Sequence, residues 1–314
     1  MGIQIDEVLS GNSMTILRAA RTTTPRRKKE QENKRQDNED DTQIGPPPRP
    51  FVKWVGGKRQ LLDILHDAAP AEFGRYYEPF IGGGAFLFSQ LPDRATISDA
   101  NPELINCYQV IHDDVEALIR SLRTHKNDED HFYAVRAKDL SKMTPVQRAS
   151  RFIFLNKTCF NGLYRENRKG QFNSPFGRYE NPKIVDTENL RTISEYLNTY
   201  DVEILHSGYQ IVLDKAQPGD YVYFDPPYAP MTKTANFASY VKGGFGLQDQ
   251  AELADTFAAL DKKGVKVMLS NSNTPIIHTL YKGFNIKIIH AARAINCKGG
   301  KRGKEANEVL VTNY

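Results

Sequence analysis

The sequence is poor in cysteine. Cys107, Cys159 and Cys297 are odd in number and widely separated, which excludes both a disulfide framework and a zinc-ligand spacing. Reduced thiols and no metal are the expectation. No stretch approaches the ~18 consecutive apolar residues of a membrane span, and the N-terminus has no apolar signal-peptide core. These absences predict a cytoplasmic protein with no membrane partner. Net charge is also small, since 42 Lys and Arg against 38 Asp and Glu leave only +4 over 314 residues. That total identifies no nucleic-acid partner by itself. What remains, with 39% hydrophobic and 25% charged residues, is a globular chain whose length suggests about two domains.

The distribution of charge is more informative than its sum. Residues 1–50 hold nine Lys and Arg against eight Asp and Glu, so this polar leader is nearly neutral, and its GPPPRP end has the composition of a stiff extended linker. It reads as a charged, disordered tail, either a solvated extension or an arm that touches DNA phosphates or a partner. In the body, residues 156–183 carry six basic and two acidic residues, and KGGKRGK at 298–304 carries four basic and none acidic. The second patch is either a phosphate clamp, with Lys298, Lys301 and Arg302 as its cations, or a solvated hairpin loop.

From Phe51 onward, β-rich runs alternate with helical periodicity. Strands are expected at 75–78, 95–98, 202–206, 221–224, 265–270, 286–290 and 308–312. Between them lie helical patterns such as 248–262, where Leu253, Phe257 and Leu260 share a face. This is an α/β layout with a largely parallel sheet. About a hundred residues separate the second and third strands, with helical patterns at 115–123 and 146–155 followed by a Gly-, Asn- and Arg-rich stretch. The interval reads as an inserted second domain.

Three motifs stand at strand ends. Glu78-Pro79-Phe80-Ile81-Gly82-Gly83-Gly84 follows the first strand and precedes a helical segment, where glycines let a backbone pass close to a ligand; the alternative is a plain tight turn. The dinucleotide pattern G-x-G-x-x-G is not met, because Ala85, Phe86 and Leu87 follow Gly84. Asp99 ends the second strand, placed either to accept from ribose hydroxyls or to cap a helix over 102–112. The most specific motif is Asp225-Pro226-Pro227-Tyr228. Two prolines remove two N–H donors, leaving a carboxylate, carbonyls and an aromatic face, a set matched to the amino group of a flat base. Its bland alternative is a Pro-Pro loop with a capping Asp.

With these motifs in order, the chain resembles the DNA adenine methylase (Dam) family of S-adenosylmethionine-dependent enzymes, in the alpha subgroup where the cofactor motif comes first and DPPY last. FVKWVGGK, EPFIGGGA, SDANPELI, LNKTCFNGLYRENRKGQFNSPFGRY, YFDPPYAPMTKTANFASY and LSNSNTP carry the resemblance from about Phe51 to the C-terminus. It implies a Rossmann-like methyltransferase sheet with helices on both faces and an inserted helical and hairpin DNA-recognition domain. The catalytic domain would comprise 51–112 and 190–314, and the target-recognition insert 113–189.

The resemblance also implies roles. Trp54 and the turn ending at Lys58 would close over S-adenosylmethionine, and Lys53 would reach DNA. Phe80, Gly82 and Gly84 would hold the methionine part, Asp99 the ribose, and Tyr209 would lie by the cofactor adenine. Asp225, which borders the cofactor as well, would join Pro226, Pro227 and Tyr228 in holding a flipped adenine. In the hairpin, Arg165 would bind a guanine edge and Leu163 and Pro175 a thymine methyl, with Asn161 and Asn173 beside them and Phe160 filling the gap left by the extruded base. Members with an NGL-x-R hairpin commonly act on GATC in double-stranded DNA. The protein is expected to act as a monomer, or at most a weak dimer. Two competing readings are a catalytically silent DNA-binding module and an RNA adenine methyltransferase, and transfer of labelled methyl to DNA separates all three.

Overall fold

Each β-rich run forms a strand in the computed structural model, which describes residues 46–167, 169–229, 245–292 and 305–314. The strands are β1 (Tyr76–Glu78), β2 (Arg94–Asp99), β3 (Asp201–His206), β4 (Tyr221–Phe224), β5 (Lys266–Ser272), β6 (Asn285–Ala292) and β7 (Glu305–Thr312). They form one sheet in the order β3-β2-β1-β4-β5-β7-β6. Neighbours from β3 to β5 pair in parallel, whereas β7 is antiparallel to both β5 and β6. The helices among the described residues are α1 (Leu62–Ala68), α2 (Leu87–Gln90), α3 (Pro102–Leu122), α4 (Glu129–Arg136), α5 (Pro145–Thr158), α6 (Thr187–Thr199), α7 (Ile211–Lys215), α8 (Leu247–Lys262) and α9 (Pro275–Leu280).

The strand sequences explain why both faces are covered. In β4, Tyr221 and Tyr223 join a core that includes residues of α1, α3, α5 and α6, while Val222 and Phe224 join a second core with α7, α8 and α9. All four are fully buried. Side chains alternate across a strand, so a run that is apolar at every position has a layer of helices on each side. Burying one such Phe or Val stabilises the fold by about 1.5–3 kcal/mol.

The interval between β2 and β3 contains no sheet strand among the described residues. Its first helix, α3, joins the segment expected after Asp99 (102–112) to the pattern at 115–123, with non-helical dihedrals at Asp114 between them, and the pattern at 146–155 lies in α5. Asn101 caps α3, accepting from the N–H groups of Glu103 and Leu104 at 3.0 Å each, and Pro102 opens its first turn. A Thr144–Gln147 capping box starts α5. Both α5 and α6 pack on α3, so the interval is built onto the sheet's own helical layer, within one compact unit covering Ile44–Tyr314. The end of the Pro-rich linker joins this layer, because Arg49 N–H and C=O both bond the Asn189 amide of α6, at 2.8 and 2.9 Å. No described helix is long and apolar enough to cross a membrane.

Candidate active site

The strand order sets the position of the site. From β1 the chain runs outward through β2 to β3, and β4 lies on the other side of β1. Ligands in open α/β sheets bind beyond the carboxyl ends of the strands at such a switch point. Tyr76 is level with Tyr221 and Tyr77 with Val222, so the glycine turn after β1 and the DPPY loop after β4 leave the sheet side by side.

The glycine turn is held from three directions. Gly82 and Gly84 adopt φ of +49° and +71°, a left-handed region that favours glycine. A Cβ on Gly82 would lie 2.6 Å from Trp54 Cδ1, and one on Gly84 would lie 2.6 Å from the Tyr108 hydroxyl. Tyr108 donates to Gly82 O at 3.1 Å. Asp99 Oδ2 accepts from Gly82 N–H at 3.2 Å, and Oδ1 from Asn101 N–H at 2.9 Å. The helix cap is therefore Asn101, and Asp99 ties the glycine turn to the start of α3. Burial pushes the Asp99 carboxyl up, against the N–H groups that favour its ionised form.

Beside this turn, Phe80 stacks on Tyr209 with ring centroids 5.4 Å apart, and Phe224 and Phe245 meet both rings. The Tyr209 hydroxyl is buried without a hydrogen-bond partner among the described residues. Together the four rings form an apolar aromatic cluster beside the glycine turn, with Phe80 the half-buried member at its edge.

The DPPY loop has its own electrostatics. Lys58, 5% exposed, places Nζ 2.7 Å from Asp225 Oδ1, 2.8 Å from Gly56 O and 4.7 Å from the centre of the Tyr228 ring. Tyr228 donates to Glu308 Oε2 at 2.7 Å. Burial raises the Asp225 carboxyl above its usual range, Lys58 pulls it down, and Glu308 adds to the rise. Below the loop, Glu78 is buried and accepts from the Tyr76 hydroxyl at 2.7 Å. Burial, with Asp225 nearby, pushes Glu78 up to about 8, despite the opposing Tyr76 hydrogen bond and the Lys58 charge. Lys58 thus opposes the effect of burial on both Asp225 and Glu78, and the upward shift of Glu78 favours its protonated form.

The residues expected at DNA lie along a hairpin. Bridges join Cys159 to Phe176 and Glu166 to Phe172, and Phe160 N–H bonds Pro175 O at 2.9 Å. Asn161 and Gly162 both have positive φ, which explains the Asn-Gly pair at this corner. Phe160 is 53% exposed, and Arg165, Asn173 and Pro175 are also exposed, whereas Asn161 and Leu163 are half-buried. The Asn156 side chain bonds Lys53 N–H (2.7 Å), Lys53 O (2.8 Å) and Gly162 O (3.2 Å), fixing the hairpin corner to the segment that leads to Lys58. Lys53 Nζ sits over the Tyr179 ring, and Trp54 packs against Phe152 and Tyr164, whose rings also meet each other. Cys159 is buried packing, its thiol pushed up to about 11 by burial.

The structure brings Lys58, Asp225 and Tyr228 together, with Lys58 on the carboxylate of the DPPY loop. Phe80 and Tyr209 stack on each other in the aromatic cluster, and Asp99 holds the turn at Gly82. Lys298, Lys301 and Arg302 lie outside the described residues. The sequence reading gave no role to Glu308, Gln250, Asn271 or Ser272, which anchor the DPPY loop. A signal for two of them existed. Glu308 shares a strand face with buried Leu310, and Gln250 lies on the apolar stripe of Leu253 and Phe257; a polar group at a core-facing position requires a partner. No described group of three or more His, Cys, Asp or Glu side chains is arranged to hold a metal ion.

Residues 54–295 match the family described as D12 class N6 adenine-specific DNA methyltransferase. The chain is 48% identical over 272 residues to the type II methyltransferase M1.LlaDCHI of Lactococcus lactis, covering 85% of this chain and 95% of that protein. It is 44% identical over 288 residues to the type II methyltransferase M.MjaIII of Methanocaldococcus jannaschii, covering 85% and 99% respectively. It is 31% identical over 266 residues to the DNA adenine methylase of Escherichia coli, covering 83% and 94%.

Proposed function

Because this chain belongs to the D12 class N6 adenine-specific DNA methyltransferases, we propose that it transfers a methyl group from S-adenosylmethionine to the N6 amine of an adenine flipped out of duplex DNA at GATC. The observation that carries the reading is the DPPY loop, with its carboxylate fixed by Lys58, beside a glycine turn and an aromatic cluster at the sheet's switch point.

The residues present fit the cofactor. Phe80, half-buried at the edge of its aromatic cluster, offers a flat apolar surface to a nucleobase, and each Asp99 oxygen retains acceptor capacity for a ribose hydroxyl. When bound, S-adenosylmethionine supplies an electrophilic methyl group. The chain's own residues then act by position. Asp225 accepts from one N–H of the amine, the Pro226 carbonyl accepts from the other, and the Tyr228 ring covers the base. These contacts favour the pyramidal amine, whose lone pair is otherwise delocalised into the ring. Lys58, 2.7 Å from Asp225 Oδ1, favours its ionised form against burial.

A stacked adenine cannot reach this loop, so the base leaves the duplex at a cost of a few kcal/mol. The exposed hairpin supports that step, since Phe160 is free to enter the gap and Arg165 to meet a guanine edge. On this reading residues 113–189 are the recognition insert, and the NGLYR corner is the reason for naming GATC. Incubating the protein with labelled S-adenosylmethionine and duplexes that contain or lack GATC tests the reading, with label expected on adenine of the GATC duplex alone.

A further inference from the structure

The DPPY loop cannot hold itself. Two prolines leave it without two backbone donors, so neighbouring elements must supply its hydrogen bonds. A buried polar chain does so. Gln250 of α8 donates through Nε2 to Pro227 O at 2.8 Å, and its Oε1 accepts from Asn271 Nδ2 of β5 at 2.9 Å. Asn271 Oδ1 accepts from Ala229 N–H at 3.0 Å, and the Ser272 hydroxyl donates to Ala229 O at 2.7 Å. Gln250, Asn271 and Ser272 are fully buried. Each side chain is oriented by the next, which fixes the amide directions of Gln250 and Asn271.

The pattern of anchors is selective. Asp225 is held by Lys58, Pro227 O by Gln250, the Tyr228 hydroxyl by Glu308, and both backbone groups of Ala229 by β5. Among the described residues, no donor reaches the Pro226 carbonyl. The loop is thus fixed on both sides of one acceptor that is left open beside Asp225. We propose that Gln250, through the Gln250–Asn271 amide pair, is a positioning residue for methyl transfer, holding the loop so that the Pro226 carbonyl and Asp225 together meet the two N–H groups of the amine. The inference rests on the reading of DPPY as the amine-holding loop. Gln250 lies behind Pro227 and touches neither base nor cofactor, so it acts through geometry, where a displacement of about 1 Å can cost 10²-fold in rate.

Two variants of the full-length chain test this, measured as single-turnover methyl transfer to duplex DNA. Gln250→Met keeps the length of the side chain and removes both hydrogen bonds. It is expected to slow transfer by about 10²-fold while the KM for S-adenosylmethionine and DNA binding change little. Thr256→Val, equally buried on α8 but bonded only to its own helix at Glu252 O, controls for general loosening and should transfer at the parent rate. Gln250→Glu supplies a pH signature. Protonated, it donates to Pro227 O and accepts from Asn271 as glutamine does; ionised, it has no donor. The ionisable groups around it are Asp249 and Glu252 on α8, Glu308 opposite Ser272 on β7, and Asp225, Lys58 and Tyr228 at the loop; all are shared with the parent, so a limb shown by the variant alone belongs to residue 250. Its rate should approach the parent's at low pH and fall as pH rises, adding a limb that the parent lacks.

Parent-like transfer by Gln250→Met, or a Gln250→Glu profile that parallels the parent's, would overturn the proposal. If Gln250→Met does not fold, the pH profile of the Glu variant decides. Failure of the parent to methylate DNA would instead overturn the proposed function, so the two failures are distinguishable.

Discussion

Replacing Glu78 by glutamine removes a buried proton-binding site and little else, since the amide oxygen of glutamine still accepts from the Tyr76 hydroxyl. The Glu78 carboxyl rises from an ordinary 4.5 to about 8 in the folded protein. Between those values the folded state binds a proton that the unfolded state has lost, so stability falls as pH rises, by ~1.4 kcal/mol per pH unit. Below about 4.5 both states are protonated and the group is neutral to stability; above about 8 the penalty is complete. From pH 5.5 to 7.5 the parent should therefore lose about 2–3 kcal/mol relative to Glu78→Gln, because the variant has no such group. Urea unfolding of both proteins across pH 5.5–8.5 measures this difference directly. The variant should also keep its methyl transfer at pH 7, because glutamine resembles the protonated acid. A stability difference that stays constant with pH, or that favours the parent as pH rises, would refute a protonated Glu78 beneath the DPPY loop.

Other perturbations follow from the same geometry. Lys58→Met leaves Asp225 buried near Glu78 and Glu308 without a counter-charge; breaking such a pair costs about 3–5 kcal/mol, and the acidic limb of the activity profile should move to higher pH. Gly84→Ala forces a Cβ toward the Tyr108 hydroxyl at positive φ, so thermal unfolding should report a loss of about 1–3 kcal/mol. Asn101→Ala removes the α3 cap and should cost about 1 kcal/mol in chemical denaturation. Arg165→Ala should lose about 1–3 kcal/mol of discrimination at one base pair, read by competition between GATC and singly substituted duplexes, while cofactor binding is unchanged.

Much of the fold was legible because its strands are short, β-rich and bounded by turn residues. YVYF signalled a strand, and the DPPY and glycine turns fell at the ends of strands that prove to be neighbours. Sequence could not supply that adjacency, which arises from β4 pairing with β1 across about 145 residues of chain. Asp99 had two readings that only the fold separates, since Asn101 takes the cap. Lys58 was legible as part of a motif, but its ion pair with Asp225 depends on how the segment 53–58 is tied to the hairpin through Asn156. The loop anchors were hidden for a related reason. Gln250, Asn271 and Glu308 come from three separate elements, and a polar residue at a core-facing position shows that a partner is needed without showing which one.

The central claim is that Asp225 and its loop carry methyl transfer to adenine in DNA. Single-turnover transfer of labelled methyl from S-adenosylmethionine to a GATC duplex, by the parent and by Asp225→Ala, tests it most directly. The account predicts N6-methyladenine within GATC from the parent. For Asp225→Ala it predicts a rate lower by about 10²-fold or more, with cofactor binding retained. Label absent from DNA with the parent, or transfer by Asp225→Ala at the parent's rate, would contradict it.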